Sequence, residues 1–311
     1  MGKAIREVYG EALVKYGKDD ERIVVLDADL SGSTKSGIFG KACPERFLNV
    51  GIAESNMVGM AAGLASVGKI PFVNTFTVFL TTLGLCAARA FGSYSQLPIK
   101  FAGAYGGMSD AFDGPSHHAL EDIAVMRSLA NVQVFVPCDA VQTEWLVKYA
   151  IDTPKPIYLR LSRDKFKDLY TSETKFAPGK GIVVREGTDI TVIACGLMVG
   201  NAIDAAEELA KEGISVRVVD MFSIKPIDEA LIVRCAKETG AIVSAEEHNI
   251  YGGLGSAVAE VLTKHGCGVT QGFVGVNDCH GECGPYKKLL AKYGLDANAI
   301  ANKVRETLAK K

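Results

Sequence analysis

No stretch of this 311-residue chain is apolar for the roughly 20 residues that a membrane-spanning helix needs. Runs such as IVVL (23–26) and ITVIA (190–194) are far shorter. The opening MGKAIREVYG has no hydrophobic signal core, so the chain is expected in the cytoplasm. An excess of either charge is also missing: 34 Lys and Arg against 36 Asp and Glu leave a net charge of -2, with the signs interspersed. That excludes a basic face for nucleic acid and a polybasic segment for lipid, and leaves small molecules or protein as partners. Low-complexity tracts, short repeats and paired C-x-x-C spacings are absent. The eight cysteines are scattered, most of them in apolar runs, as reduced core thiols would be. One cluster, Cys267 with Cys279-His280-x-x-Cys283, has the ligand types of a zinc site. Without paired spacing, ordinary packing is the expectation there.

What is present is a chain with 48% hydrophobic residues, long enough for two domains. Ile5, Val8, Tyr9, Ala12, Leu13 and Tyr16 fall at helical spacing, and IVVLDAD (23–29) follows as a doubly buried strand. Further strands are expected at 47–51, 70–76, 98–106, 132–139 and 156–162, separated by segments of helical length. From Arg163 to Gly187 a charged stretch containing Gly and Pro reads as a linker. Strands then resume at 190–196, 216–222, 241–247 and 269–275, and a last helix has Asp296 as N-cap with Ile300, Val304 and Leu308 on one stripe. The expected fold is α/β: two doubly wound domains with mainly parallel sheets, residues 1–165 and 188–311, joined by a linker at 166–187. In such domains ligands bind at the carboxyl ends of the strands.

Four segments place polar or aromatic residues at those ends. In GIAESNM (51–57), Glu54 starts an otherwise small and apolar helix, where a carboxylate most often just offsets the helix dipole. In NTFTVF (74–79), Phe76 and Phe79 follow a strand, as core residues or as a stacking wall for a planar heterocycle. DAFDGPSHH (110–118) is a polar loop that holds two of only five histidines beside carboxylates, a pattern suited to acid-base or hydroxyl-binding work. Arg163 ends a strand as a phosphate grip or a surface ion-pair partner.

Together these segments resemble the pyrimidine-binding domain of transketolases, and the resemblance runs over nearly the whole chain. It implies thiamine diphosphate as cofactor, with Glu54 of GIAESNM sharing a proton with its aminopyrimidine and Phe76 and Phe79 of TFTVF enclosing that ring. DGPSH (113–117) matches a motif quite specific to transketolases, and the match implies that Asp113 and His117 meet sugar hydroxyls and reacting oxygens. By the same resemblance Arg163 falls where the substrate phosphate binds, as do Arg6 and Ser33 of ADLSGS. The segments EGTDITVIACG and AEEHNIYGGLGSAVAE look like the family's C-terminal domain. The implied activity is transfer of a two-carbon ketol unit from a ketose phosphate to an aldose phosphate.

The pattern departs from the family in three places. Eight residues before Asp113 the family has a histidine, where this chain has Tyr105; three residues after Phe79 it has an aromatic, where this chain has Thr82. The family's G-D-G...N segment, which holds a divalent cation against the diphosphate, is absent from this sequence. Gly252, Gly253 and Gly255 open a helix, but G-G-x-G alone more often reflects close backbone packing than a phosphate cradle. The implied organisation is therefore a split enzyme. An N-terminal partner subunit would carry the diphosphate domain and hold Mg2+ or Ca2+, in an α2β2 assembly. The alternatives are the beta subunit of a 2-oxo acid dehydrogenase's decarboxylating component, disfavoured by DGPSH, and a non-catalytic regulatory subunit, disfavoured by Glu54.

Overall fold

The computed structural model describes residues 3–311; the first two residues of the opening segment lie outside it. Twelve strands form two sheets. In chain order they are β1 (Ile23–Asp27), β2 (Phe47–Asn49), β3 (Ile70–Phe76), β4 (Lys100–Ala104), β5 (Gln133–Phe135), β6 (Ile157–Arg160), β7 (Ile182–Arg185), β8 (Ile190–Ala194), β9 (Val216–Asp220), β10 (Ser223–Lys225), β11 (Ala241–Asn249) and β12 (Thr270–Val276). The first sheet runs β10-β5-β6-β4-β3-β1-β2 and the second β12-β11-β8-β9-β7. All pairings are parallel except β10 on β5 and β7 on β9.

Parallel strands bury both faces, which is why β1, β4, β8 and β9 are buried at every position and read as near-continuous apolar runs. Helices cover the faces: Ile5–Gly17 packs Ile5, Tyr9, Ala12 and Leu13 into the same core as Val25 and Phe72. The last helix, Ala297–Leu308, starts where Asp296 accepts a hydrogen bond from the Ala299 amide at 2.9 Å. Its Ile300 and Val304 are fully buried, and Leu308 packs at the margin. No helix among the described residues is long and apolar enough to cross a membrane.

Two strands were not evident from the sequence. β7 lies at the end of the stretch that reads as linker, and β10 leaves the second half of the chain to join the first sheet. Each is an antiparallel addition of three or four residues at an edge, so it carries no periodic signal of its own. The cysteines depart from expectation in part, since only half of them lie in the core. Cys43, Cys138, Cys195 and Cys235 are buried, Cys267 is half-buried, and Cys86, Cys279 and Cys283 are exposed. No group of three metal-ligating side chains exists among the described residues. The 279–283 segment is a surface loop rather than core.

Strand order sets where a ligand can go. From β1 the chain moves outward to β2, then crosses back to place β3 on the other side of β1. The crossing opens a crevice at the carboxyl ends of β1 and β3, the position where open α/β sheets bind ligands. Because β1, β2, β3, β4 and β6 are mutually parallel, the segments that follow them all emerge along that one edge.

Candidate functional site

Glu54 follows β2 as the first residue of the helix Glu54–Ser66 and is buried. Thr75, near the end of β3, donates its hydroxyl to Glu54 Oε1 at 3.1 Å; among the described residues Oε2 accepts no hydrogen bond. One position along the chain, Phe76 ends β3 and leads into the helix Thr77–Thr82, which carries Phe79. The two rings stack at 6.0 Å. His117 meets both edge-on, at 6.0 Å from Phe76 and 5.3 Å from Phe79, and Ser116 Oγ lies 2.9 Å from its Nδ1. Thr82 faces solvent and donates to the Val78 carbonyl, so it adds nothing to this wall. The third ring comes from Tyr105, at 4.4 Å from Phe76.

Tyr105 follows β4 with φ of 63°, a left-handed conformation that costs a non-glycine residue about 1–3 kcal/mol and tends to be retained at functional sites. Two guanidinium groups stand over its ring, Arg6 at 5.0 Å and Arg163 at 5.3 Å from the centroid. Arg6 Nη1 donates both to the Tyr105 hydroxyl and to the Ser33 carbonyl, the latter at 2.8 Å. Arg6 Nε is buried without a partner. Arg163 Nη1 binds Asp110 Oδ1 at 3.0 Å, and its side chain stays 42% exposed, open to a ligand.

Asp110 was not singled out by the sequence as a site residue. Burial, then the charge of Asp113 beside it, pushes its carboxyl up to about 6, against the opposite pull of Arg163 and His117. Its Oδ2 is buried and unpartnered. Asp113 is exposed. The two adjacent histidines part company: His117 is half-exposed on the aromatic wall, while His118 is buried with both ring nitrogens unpartnered. Burial lowers the His118 pKa, so it packs as a neutral ring.

All eight predicted positions, Arg6, Ser33, Glu54, Phe76, Phe79, Asp113, His117 and Arg163, therefore lie along one sheet edge, linked through Thr75, Tyr105 and Asp110. The glycine-rich helix start is a different matter. Glu246 Oε2 and Oε1 accept the Leu254 and Gly255 amides at 2.7 and 2.8 Å, so a carboxylate of this chain already occupies the helix N-terminus. A Cβ on Gly253 would lie 2.0 Å from Glu246 Oε2. Close packing, not a phosphate, requires those glycines.

The pyrimidine-binding domain of transketolase matches residues 1–168, and the transketolase C-terminal domain matches residues 179–300. The chain belongs to the transketolase family. A solved split-gene transketolase chain, from an inactive β4 tetramer, superimposes with a TM-score of 0.92 at 49% identity, covering 99% of each chain. The 6-deoxy-6-sulfo-D-fructose transketolase subunit of a Clostridium species is 38% identical over 99% of this chain and 95% of its own length. An apulose-4-phosphate transketolase subunit of Phocaeicola vulgatus is 38% identical over 99% of this chain and 98% of its own length. Such relatives are transketolase subunits of the same extent, which sets the 2-oxo acid dehydrogenase alternative aside. Thiamine diphosphate is the cofactor of this transketolase family.

Proposed function

We propose that this chain supplies the pyrimidine half of a thiamine diphosphate site and acts in transfer of a two-carbon ketol unit from a ketose phosphate to an aldose phosphate. The observation that carries this reading is the convergence of a buried carboxylate, a wall of three aromatic rings and His117 at the switch point of the first sheet. The residues present fit the aminopyrimidine: a planar ring suits Phe76 and Phe79, and Glu54 Oε2 is free to meet a ring nitrogen. When bound, thiamine diphosphate supplies the nucleophilic carbon and the electron sink that cleavage of a ketose C2–C3 bond needs.

Glu54 holds a proton against the cofactor ring, and Thr75 fixes its carboxyl plane. His117, poised over the wall, exchanges protons with the reacting oxygens and shares the sugar hydroxyls with Asp113. Arg163, with Arg6 and the Ser33 segment across Tyr105, receives the substrate phosphate. The diphosphate and its Mg2+ or Ca2+ are held by an N-terminal partner subunit, in an α2β2 assembly working in the cytoplasm. Support for a split enzyme comes from the matching extent of the two named subunits and from the 49%-identical chain, whose β4 form is inactive.

The two relatives are equally similar to this chain and are named for different sugars, so similarity does not choose between their substrates. A coupled assay of the two-chain complex with xylulose 5-phosphate and ribose 5-phosphate tests the reading, with pyruvate and a branched 2-oxo acid as the opposing arm. Turnover of the oxo acids with none of the sugars would overturn it.

A further inference from the structure

The C-terminal domain contributes none of the residues assigned above, yet it grips the loop that carries them. The loop runs from Gly107 to Ala119, whose backbones pair with each other and close it at its base. Glu247, near the end of β11, reaches across the domain boundary: its Oε1 accepts the Met108 amide at 2.7 Å and the Tyr286 hydroxyl at 2.9 Å. Gly107, at φ of 71°, lies so close that a Cβ there would be 2.3 Å from Glu247 Cδ. The Glu247 carbonyl accepts Arg160 Nη2 at 2.9 Å, and the same guanidinium binds the Ala119 carbonyl and both oxygens of Asp122. Two residues on, the Asn249 amide donates to the Leu120 carbonyl at 2.7 Å. Both ends of the loop are thus tied to one strand of the other domain.

A second hold lies at the loop tip. The Gly284 amide donates to the Ala111 carbonyl at 3.1 Å, and the Cys283 thiol sits where a side chain on Gly114 would be. Gly281 lies against the ring of His118. Between these holds the loop carries Asp110, Asp113 and His117, and Tyr105 enters its base in a left-handed conformation.

We infer that Glu247 is a positioning residue for ketol transfer: from the C-terminal domain it fixes the base of the Gly107–Ala119 loop, and through it Tyr105, Asp110, Asp113 and His117. The inference rests on the function proposed above. Misplacement of a reacting group by about 1 Å can cost around 100-fold in rate, so the hold matters even though Glu247 touches no substrate.

The test compares Glu247→Ala, Glu247→Gln and Ile300→Ala in the two-chain complex, with amide hydrogen exchange on this chain. Glu247→Ala should lower kcat by about ten- to a hundredfold, with a smaller change in KM, and speed exchange at 108–119. Glu247→Gln retains an oxygen acceptor for Met108 and Tyr286 and should restore both. Ile300→Ala opens a cavity in the same domain but removes none of the hydrogen bonds that hold the loop, lowering Tm without lowering kcat. Wild-type kcat in Glu247→Ala, or an equal loss of kcat in Ile300→Ala, would overturn the inference. Should Glu247→Ala not fold, Gly107→Ala displaces the same contact, and wild-type kcat there overturns it equally. If the wild-type complex shows no ketol transfer, the proposed function fails, whereas unchanged exchange at 108–119 in Glu247→Ala defeats the positioning role alone.

Discussion

Glu54 and Arg163 illustrate how differently two charged residues can serve one site. Glu54 is buried at a helix start, and its hydrogen-bond partner is the neutral hydroxyl of Thr75. Glutamine keeps the acceptor for Thr75 but cannot exchange a proton. Glu54→Gln should therefore leave Tm within a few degrees of wild type and lower kcat at least ~100-fold. Circular dichroism melting beside the coupled assay checks both, and near-wild-type turnover would remove Glu54 from the catalytic role. Arg163 is half-exposed, and in the proposed function its grip on a remote phosphate would contribute the same binding before and at the transition state. Arg163→Ala should raise KM for phosphorylated sugars by about 10- to 100-fold, as loss of a charge-assisted hydrogen bond implies, with kcat changed much less. An equal effect on unphosphorylated sugars would count against a phosphate grip. Tyr105 links the two halves of this picture, since its ring faces Phe76 while its hydroxyl and π face engage Arg6 and Arg163.

At the scale of elements, β11 does more than complete the second sheet. Its last residues pass beyond the core to meet the loop after β4, and Glu247 is buried there among Arg160, Asp122, Tyr286 and the Met108 amide. Burial outweighs Arg160 and the two hydrogen bonds and raises the carboxyl from 4.5 to about 7. A carboxyl raised in the fold keeps a proton that the unfolded chain has lost. Its contribution to stability is full below pH 4.5 and is lost as pH rises through about 7. Glu247→Gln removes this titration. Relative to wild type, the variant should gain about 2–3 kcal/mol in stability between roughly pH 5 and 8. Urea unfolding at the two pH values measures the difference; a gap that stays constant would show that Glu247 does not titrate in this range. The helix Leu254–Lys264 shows the opposite use of a buried glutamate: Glu246 satisfies the free amides at its start, leaving no place for an external anion.

For the whole molecule, the aromatic wall proposed to take the pyrimidine belongs to a chain whose sequence has no G-D-G segment. Much of the affinity for a diphosphate cofactor resides in the metal and the anion site. This chain alone should therefore bind thiamine diphosphate weakly and turn over no substrate, with both properties appearing on addition of the partner chain. Calorimetry with thiamine diphosphate and magnesium, before and after mixing, reads this directly. Micromolar binding and turnover by the isolated chain would defeat the split-site model. Large apolar side chains stand exposed on the first domain, among them Ile52 at 84% and Tyr94 at 86%, and give contacts between chains surface to bury.

The sequence by itself determined the alternation of strands and helices, because a strand buried on both faces must be apolar throughout and the runs at 23–27 and 190–194 show it. It determined the family as well, since GIAESNM, TFTVF and DGPSH place chemically distinctive residues at fixed spacings. Tertiary structure alone decided which of them meet. The crossing from β2 to β3 is a matter of strand order, and it brings segments far apart in the chain to a single edge. Tyr105 takes up the third ring position because a left-handed turn after β4 aims it at Phe76, and a single residue's φ leaves no periodic trace in sequence. β7 and β10 form only because an edge strand offers unpaired backbone groups to them. Glu247 acquires its raised proton affinity from burial against Arg160, Asp122 and the Met108 amide, all distant in the chain, and Asp110 from burial with Asp113 beside it; neither property exists before the chain has folded.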